Sequence, residues 1–91
     1  MARESVLIIE GRRYRLRLTL GALAEIEEGL EVDGLKALGA RLSRLSASEL
    51  LRVLGALMRA GGASDADPAT LEIDPREAAR AVAECFAASA P

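Results

Sequence analysis

The sequence contains no histidine, one cysteine and one lysine. Histidine is the usual general base and the commonest zinc ligand, and a lone cysteine cannot complete a structural zinc site. No hydroxyl or thiol side chain has an obvious base partner, and no glycine-rich phosphate loop precedes a helix. We therefore expect a protein that is not an enzyme and that uses no cofactor or metal.

Long apolar runs and aromatic residues are also scarce. Charged residues soon close the early run from Val6 to Ile9, and no stretch approaches the ~20 apolar residues that span a bilayer. A single cysteine, Cys85, cannot form an internal disulfide, which fits a reducing compartment. We expect a cytoplasmic protein without membrane contact. Apolar residues make up 51% of the chain but aromatics only 2%, which favours closely packed aliphatic helices in a single domain spanning 1–91.

The charges are divided between the two ends of the chain. The net charge of −2 is too small to indicate general affinity for nucleic acid. Residues 1–17 carry five arginines against two glutamates, whereas residues 61–91 carry two arginines against six acidic residues. This polarity could steer a partner, or it could bring the two ends together in the fold.

The pattern of apolar residues predicts an α+β fold with an N-terminal β-hairpin followed by three to four helices, packed as a small helical domain. A turn at Glu10-Gly11 gives a hairpin at about 5–18. Start and stop signals place helices at about 20–30, 34–43, 47–60 and 75–88. The predicted N-caps of the first three are Thr19, Asp33 and Ser46, and Ser46 forms a capping box with Glu49.

The last helix offers two faces for packing. The predicted core face consists of Ala79, Val82, Ala83 and Phe86. A second row has small residues at 3-4-3 spacing, which allows close helix approach and makes it a candidate seam for self-association or for a partner. This row consists of Ala78, Ala81, Cys85 and Ala88. The alternative is an alanine-rich helix selected for helix propensity.

Three arginines on one face of the second strand form the other candidate site: Arg13, Arg15 and Arg17. Arginine makes forked contacts with carboxylates and phosphates, so the stripe could bind an acidic protein or a nucleic acid. RNA-binding sheets add exposed aromatics, but the nearby Tyr14 falls on the opposite face. The alternatives are a solvated strand face, or pairing with the acidic first helix, whose carboxylates include Glu25 and Glu28. We interpret those carboxylates as a solvated surface rather than a cation site.

The segment Gly11–Glu27 reads G-R-R-Y-R-L-R-L-T-L-G-A-L-A-E-I-E. It resembles the opening of a family of short proteins encoded in gene transfer agent and related prophage tail clusters, labelled both tail tube protein and tail assembly chaperone. The resemblance covers residues 9–62, including a serine-capped helix that stops at Gly61-Gly62, and it fades over 63–91.

The resemblance implies a non-enzymatic role in building a phage-like tail in a bacterium. A tail assembly chaperone would bind the tape-measure protein, or another tail protein, by covering its apolar helical stripes. The alternative is a structural tail (tube) subunit, a homo-oligomer, although such subunits usually need an extensive β-sheet. A small nucleic-acid-binding regulator is a third hypothesis, which the negative net charge and the lack of exposed aromatics disfavour.

Overall fold

The computed structural model describes residues 4–87. Two strands open the fold, β1 (Glu4–Ile9) and β2 (Arg12–Arg17). Four helices follow: α1 (Leu20–Leu30), α2 (Leu35–Leu42), α3 (Ala47–Ala60) and α4 (Pro75–Ala87), with a 3₁₀ turn at Pro68–Thr70 between the last two. The predicted fold class, an N-terminal hairpin followed by helices, is confirmed. In the part of the chain described, every helix is too short or too polar to cross a membrane.

The hairpin has a two-residue turn that fixes its register. Glu10 and Gly11 both have positive φ, 52° and 79°, as a type I′ turn requires. The antiparallel pairs run from Ile9 opposite Arg12 to Glu4 opposite Arg17. Because side chains alternate across a strand, Leu7 and Leu16 are buried on the inner face while Arg13, Arg15 and Arg17 lie on the outer face.

The core lies between the inner face of the hairpin and helices α3 and α4. Helix α3 is central because it packs against β2, α1 and α4. Its segment Val53–Met58 is buried throughout. The C-terminal end of α3 lies so close to β2 that a Cβ atom on Gly61 would overlap the Arg15 carbonyl group. This close approach holds the hairpin against the helices.

Two of the three predicted N-caps are confirmed, and the third is wrong. The Thr19 hydroxyl accepts from the backbone N–H of Ala22 at 3.0 Å. The Ser46 and Glu49 side chains accept from each other's backbone N–H groups at 3.2 and 2.9 Å. Helix α2 is preceded by Gly34, not Asp33, at its N-cap position, without a side-chain cap. The chain reverses there with a φ of 92°, which L side chains rarely adopt, so glycine takes the place.

Helix α4 packs with the row of small residues that was a candidate seam for a partner. Ala78, Ala81 and Cys85 are buried together with Val82, whereas Ala79 and Ala83 are exposed and Phe86 is half-buried. The predicted core face is therefore wrong at two of its four positions. Small residues let α4 approach β1 closely, and the Ser5 hydroxyl donates to the Ala81 carbonyl at 2.6 Å. The small-residue seam is thus occupied by the chain's own hairpin; Ala88, its last member, lies outside the described residues.

The capping box gives the first testable prediction. Ser46→Ala removes the acceptor for the Glu49 N–H, so we expect the free energy of unfolding to fall by about 1 kcal/mol. Chemical denaturation followed by circular dichroism measures this. Ser64→Ala is the matched control, because Ser64 is exposed in a loop and should tolerate the change. Equal losses in the two variants would contradict the assignment.

Candidate interaction surfaces

The hairpin outer face combines apolar and basic side chains. It consists of Val6 and Ile8 on β1 and Arg13, Arg15 and Arg17 on β2. Ile8 stands opposite Arg13 and Val6 opposite Arg15, so each apolar side chain has a guanidinium beside it. Ile8 is 65% exposed and Val6 38%. Each strand is also an edge strand, because the sheet of the described chain has two strands.

The structure separates the arginine stripe from the acidic helix. Arg15 and Arg17 contact Glu4 on the neighbouring strand, with N–O distances of 3.2 and 3.9 Å. Such exposed pairs contribute about 0–1 kcal/mol each. Within residues 4–87 Arg13 makes no ion pair, and Arg12 lies over the Tyr14 ring, 5.2 Å from its centroid. The predicted exposure of the stripe is confirmed, but pairing with α1 does not occur among the described residues.

The second surface is an acidic corner where α1 turns into α2. We define it by Glu28, Glu31, Asp33 and Leu35. Glu25, one turn earlier, pairs with Arg59 of α3. The carboxylates of the corner have no ion pair in the described part of the chain, and the neighbouring Leu35 is 65% exposed. Within α2 the structure buries Leu38 and turns Leu35 outward.

The third surface is an apolar groove between the start of α3, the 3₁₀ turn and the start of α4. It encloses about 560 Å³. Its apolar lining includes Leu45, Leu50, Leu51, Leu71 and Ile73. Loop residues supply three of these side chains, and the groove was not predictable from the sequence because nothing local indicates how the loops pack against α3. Its shape suits a short apolar segment.

Sequence reasoning also missed the apolar part of the hairpin outer face. The signal was available, because a two-residue turn at Glu10-Gly11 determines which residues oppose each other. Counting back from that turn places Ile8 beside Arg13 and Glu4 beside Arg17. Residues 6–9 form one apolar run in the sequence, and strand alternation divides that run between the two faces of β1. For metal binding, no group of three or more suitable side chains occurs within residues 4–87.

Cys85 is part of the core rather than of an interaction surface. Its thiol is buried and lies 3.7 Å from the Leu16 carbonyl oxygen. Burial raises the pKa of the Cys85 thiol above its ordinary value of 9.0. A buried thiol with a raised pKa is poorly suited to act as a nucleophile.

This burial predicts a loss of stability in alkali. Above the ordinary pKa the unfolded chain releases the Cys85 proton while the folded chain keeps it, so the free energy of unfolding falls as pH rises. The slope is up to about 1.4 kcal/mol per pH unit for one proton. Urea denaturation between pH 8 and 10 should show a steeper decline in the wild type than in Cys85→Ala. Equal pH dependence of the free energy of unfolding in the two proteins would contradict a raised pKa for the Cys85 thiol.

The sequence matches one family of known proteins over nearly its whole length. The family model described as "Phage tail tube protein, GTA-gp10" matches residues 2–90. The chain belongs to this family. The match extends well beyond the 9–62 resemblance and includes the segment 61–74 and α4. No curated protein and no solved structure matches the chain.

Membership of the phage tail tube protein family confirms the resemblance to a gene transfer agent tail family. It also reverses the preference between the two tail hypotheses, the chaperone and the structural subunit. The description names a tail tube protein, so it agrees with the structural subunit better than with the tape-measure chaperone. The family's tail association supports other tail proteins as partners.

Proposed function

We propose that the protein is a non-enzymatic structural subunit of a phage-like tail tube, and that it contacts neighbouring tail proteins through the hairpin outer face. The family description supports the tail assignment. The observation that carries the proposal is the exposed two-stranded sheet, whose outer face holds Ile8 at 65% exposure. Exposed edges and apolar residues are features that monomeric proteins usually cover or charge.

A shared sheet would answer the main objection to this function. Tube subunits usually need an extensive β-sheet, and each copy of this chain supplies β1 and β2 to a sheet of two strands. Strands from neighbouring subunits can extend such a sheet through its edges. The sheet would then be a property of the assembly rather than of one chain.

Mass spectrometry of purified particles tests the proposal. We expect the chain in many copies per particle, in a constant ratio to the other tail proteins. Whole-cell lysate analysed in parallel is the control for expression. Abundant chain in the lysate with none in the particles would contradict a structural role and would indicate an assembly factor.

The apolar groove favours a second candidate, a chaperone for the tape-measure protein. A short helix from that protein could bury its apolar face against Leu50, Leu71 and Ile73. Co-expression should then increase the soluble fraction of the tape-measure protein. Leu71→Glu should abolish that increase, whereas Leu20→Glu, on the exposed side of α1, should not. A tape-measure protein that is equally soluble alone would exclude this candidate.

A further inference from the structure

We infer that the hairpin outer face of one copy binds the acidic corner of a second copy, so that subunits join head to tail. This inference rests on the proposed structural function and names the partner of the same surface. Three observations carry it: the charges of the two surfaces, their exposed apolar side chains, and the way each copy leaves both surfaces unmatched.

The charges of the two surfaces are complementary. The hairpin outer face carries three arginines, and the nearby Glu4 offsets the charge of one. The acidic corner carries Glu28, Glu31 and Asp33 without an ion pair in the described chain. Opposite potentials steer association and fix the register of an interface. Within one copy the two surfaces do not pair, so a neighbouring copy supplies the match.

Apolar contacts would form between the same two surfaces. Ile8 and Leu35 are each 65% exposed, more than any other large apolar side chain of the described chain except Leu20. Ile8 lies beside Arg13, and Leu35 follows Asp33 by two residues. Each surface thus has an exposed apolar side chain within a set of charges whose net sign differs between the two. Arginines outnumber Glu4 on the hairpin outer face, and the three carboxylates of the acidic corner outnumber Lys36, which follows Leu35. Placing Ile8 against Leu35 would remove both from water while their neighbours pair.

The acidic segment at 65–77 is a weaker match for the arginines. Asp67 and Asp74 accept backbone hydrogen bonds at 3.1 and 2.9 Å as local caps. Glu77 pairs with Arg80 at 2.7 Å. Much of this negative charge is therefore already engaged, whereas the carboxylates of the acidic corner are not.

Two different surfaces on one chain have a consequence for assembly. A contact between unlike patches is heterologous, so every copy presents one surface forward and one backward. Such contacts close into rings when the rotation between neighbours allows it, and otherwise continue as filaments. Either outcome is compatible with a tube built from repeated copies.

A charge exchange tests the contact on the purified full chain. The first variant is Arg13→Glu with Arg15→Glu, and the second is Glu31→Lys with Asp33→Lys. Each variant alone presents two surfaces of the same sign, so we expect sedimentation velocity to show loss of every species above the 9.6 kDa monomer. An equimolar mixture restores opposite signs at every contact and should associate as the wild type does.

Salt provides an independent readout on the wild type. Raising the ionic strength from about 0.1 M to about 1 M shortens the Debye length from about 10 Å to about 3 Å. Wild-type association should weaken over this range. A control variant, Arg44→Glu with Arg76→Glu, makes the same change in net charge as Arg13→Glu with Arg15→Glu. Both of its positions are exposed and lie outside the two surfaces, so it should associate as the wild type does.

Three results would overturn the inference. The wild type could remain monomeric at every concentration, either variant alone could associate as the wild type does, or the mixture could stay monomeric. None of these results removes the chain from purified particles. Stoichiometric chain in the particles together with a failed exchange would therefore reject this contact and leave the structural function standing.

Discussion

Gly61→Ala is expected to lower the free energy of unfolding by about 3 kcal/mol, the upper part of the range for overpacking. Gly61 has a φ of −82°, which alanine adopts readily, so the cost is steric. A Cβ atom there would lie 2.8 Å from the Arg15 carbonyl carbon and closer still to its oxygen. Backbone atoms cannot rotate away as a side chain can, so α3 and β2 would have to separate.

Equilibrium denaturation of Gly61→Ala measures this loss. Gly39→Ala is the matched control, because Gly39 lies within α2 and a Cβ there would meet nothing within 4 Å. Removing a glycine from a helix should raise stability by up to about 1 kcal/mol. The two substitutions are chemically identical, so the opposite changes in stability that we expect come from the surroundings of the two glycines. A neutral Gly61→Ala would show that the helix and strand are not in close contact.

Leu16→Ala is expected to cost about 3 kcal/mol through lost burial and the cavity left behind. Leu16 is fully buried on the inner face of β2. For a domain of this size the change corresponds to a fall in Tm of roughly 15 °C. A small domain has a total stability of about 5–10 kcal/mol, so the variant would retain about 2–7 kcal/mol and stay folded at 25 °C.

Calorimetry or thermal circular dichroism compares Leu16→Ala with Leu20→Ala. Leu20 is 80% exposed at the start of α1, so its truncation should change stability by less than about 0.5 kcal/mol. The same residue type is thus removed from the core and from the surface, four positions apart in the chain. Similar losses at both positions would show that Leu20 is covered in solution, as it would be in an interface between copies.

The predictable parts of this fold depend on neighbours in sequence. Thr19 and Ser46 act as N-caps because each needs only the backbone N–H three residues ahead. The hairpin was predictable for the same reason, since the turn at Glu10-Gly11 brings adjacent segments together. The exposure of the arginine stripe follows directly from strand alternation.

The parts that could not be predicted depend on distant contacts. Helix α4 has two rows that could face the core, and periodicity favoured the row with the bulkier Val82 and Phe86. The structure buries Ala78 and Ala81 because α4 packs tightly on β1, a contact between the two ends of the chain. The acidic corner was similarly hidden, because Gly34 and its positive φ set the direction in which Leu35 points.

The contact between β1 and α4 also sets the order of events during synthesis. Ser5 and its acceptor Ala81 are 76 residues apart, so the part of the hairpin that α4 covers, on β1, stays open until α4 has been translated. At about 5–20 residues per second, this interval is on the order of several seconds. Throughout it β1 of the nascent hairpin exposes Leu7 to other chains on the same polysome. The arginines of the hairpin outer face then act against aggregation, because like charges keep neighbouring nascent strands apart.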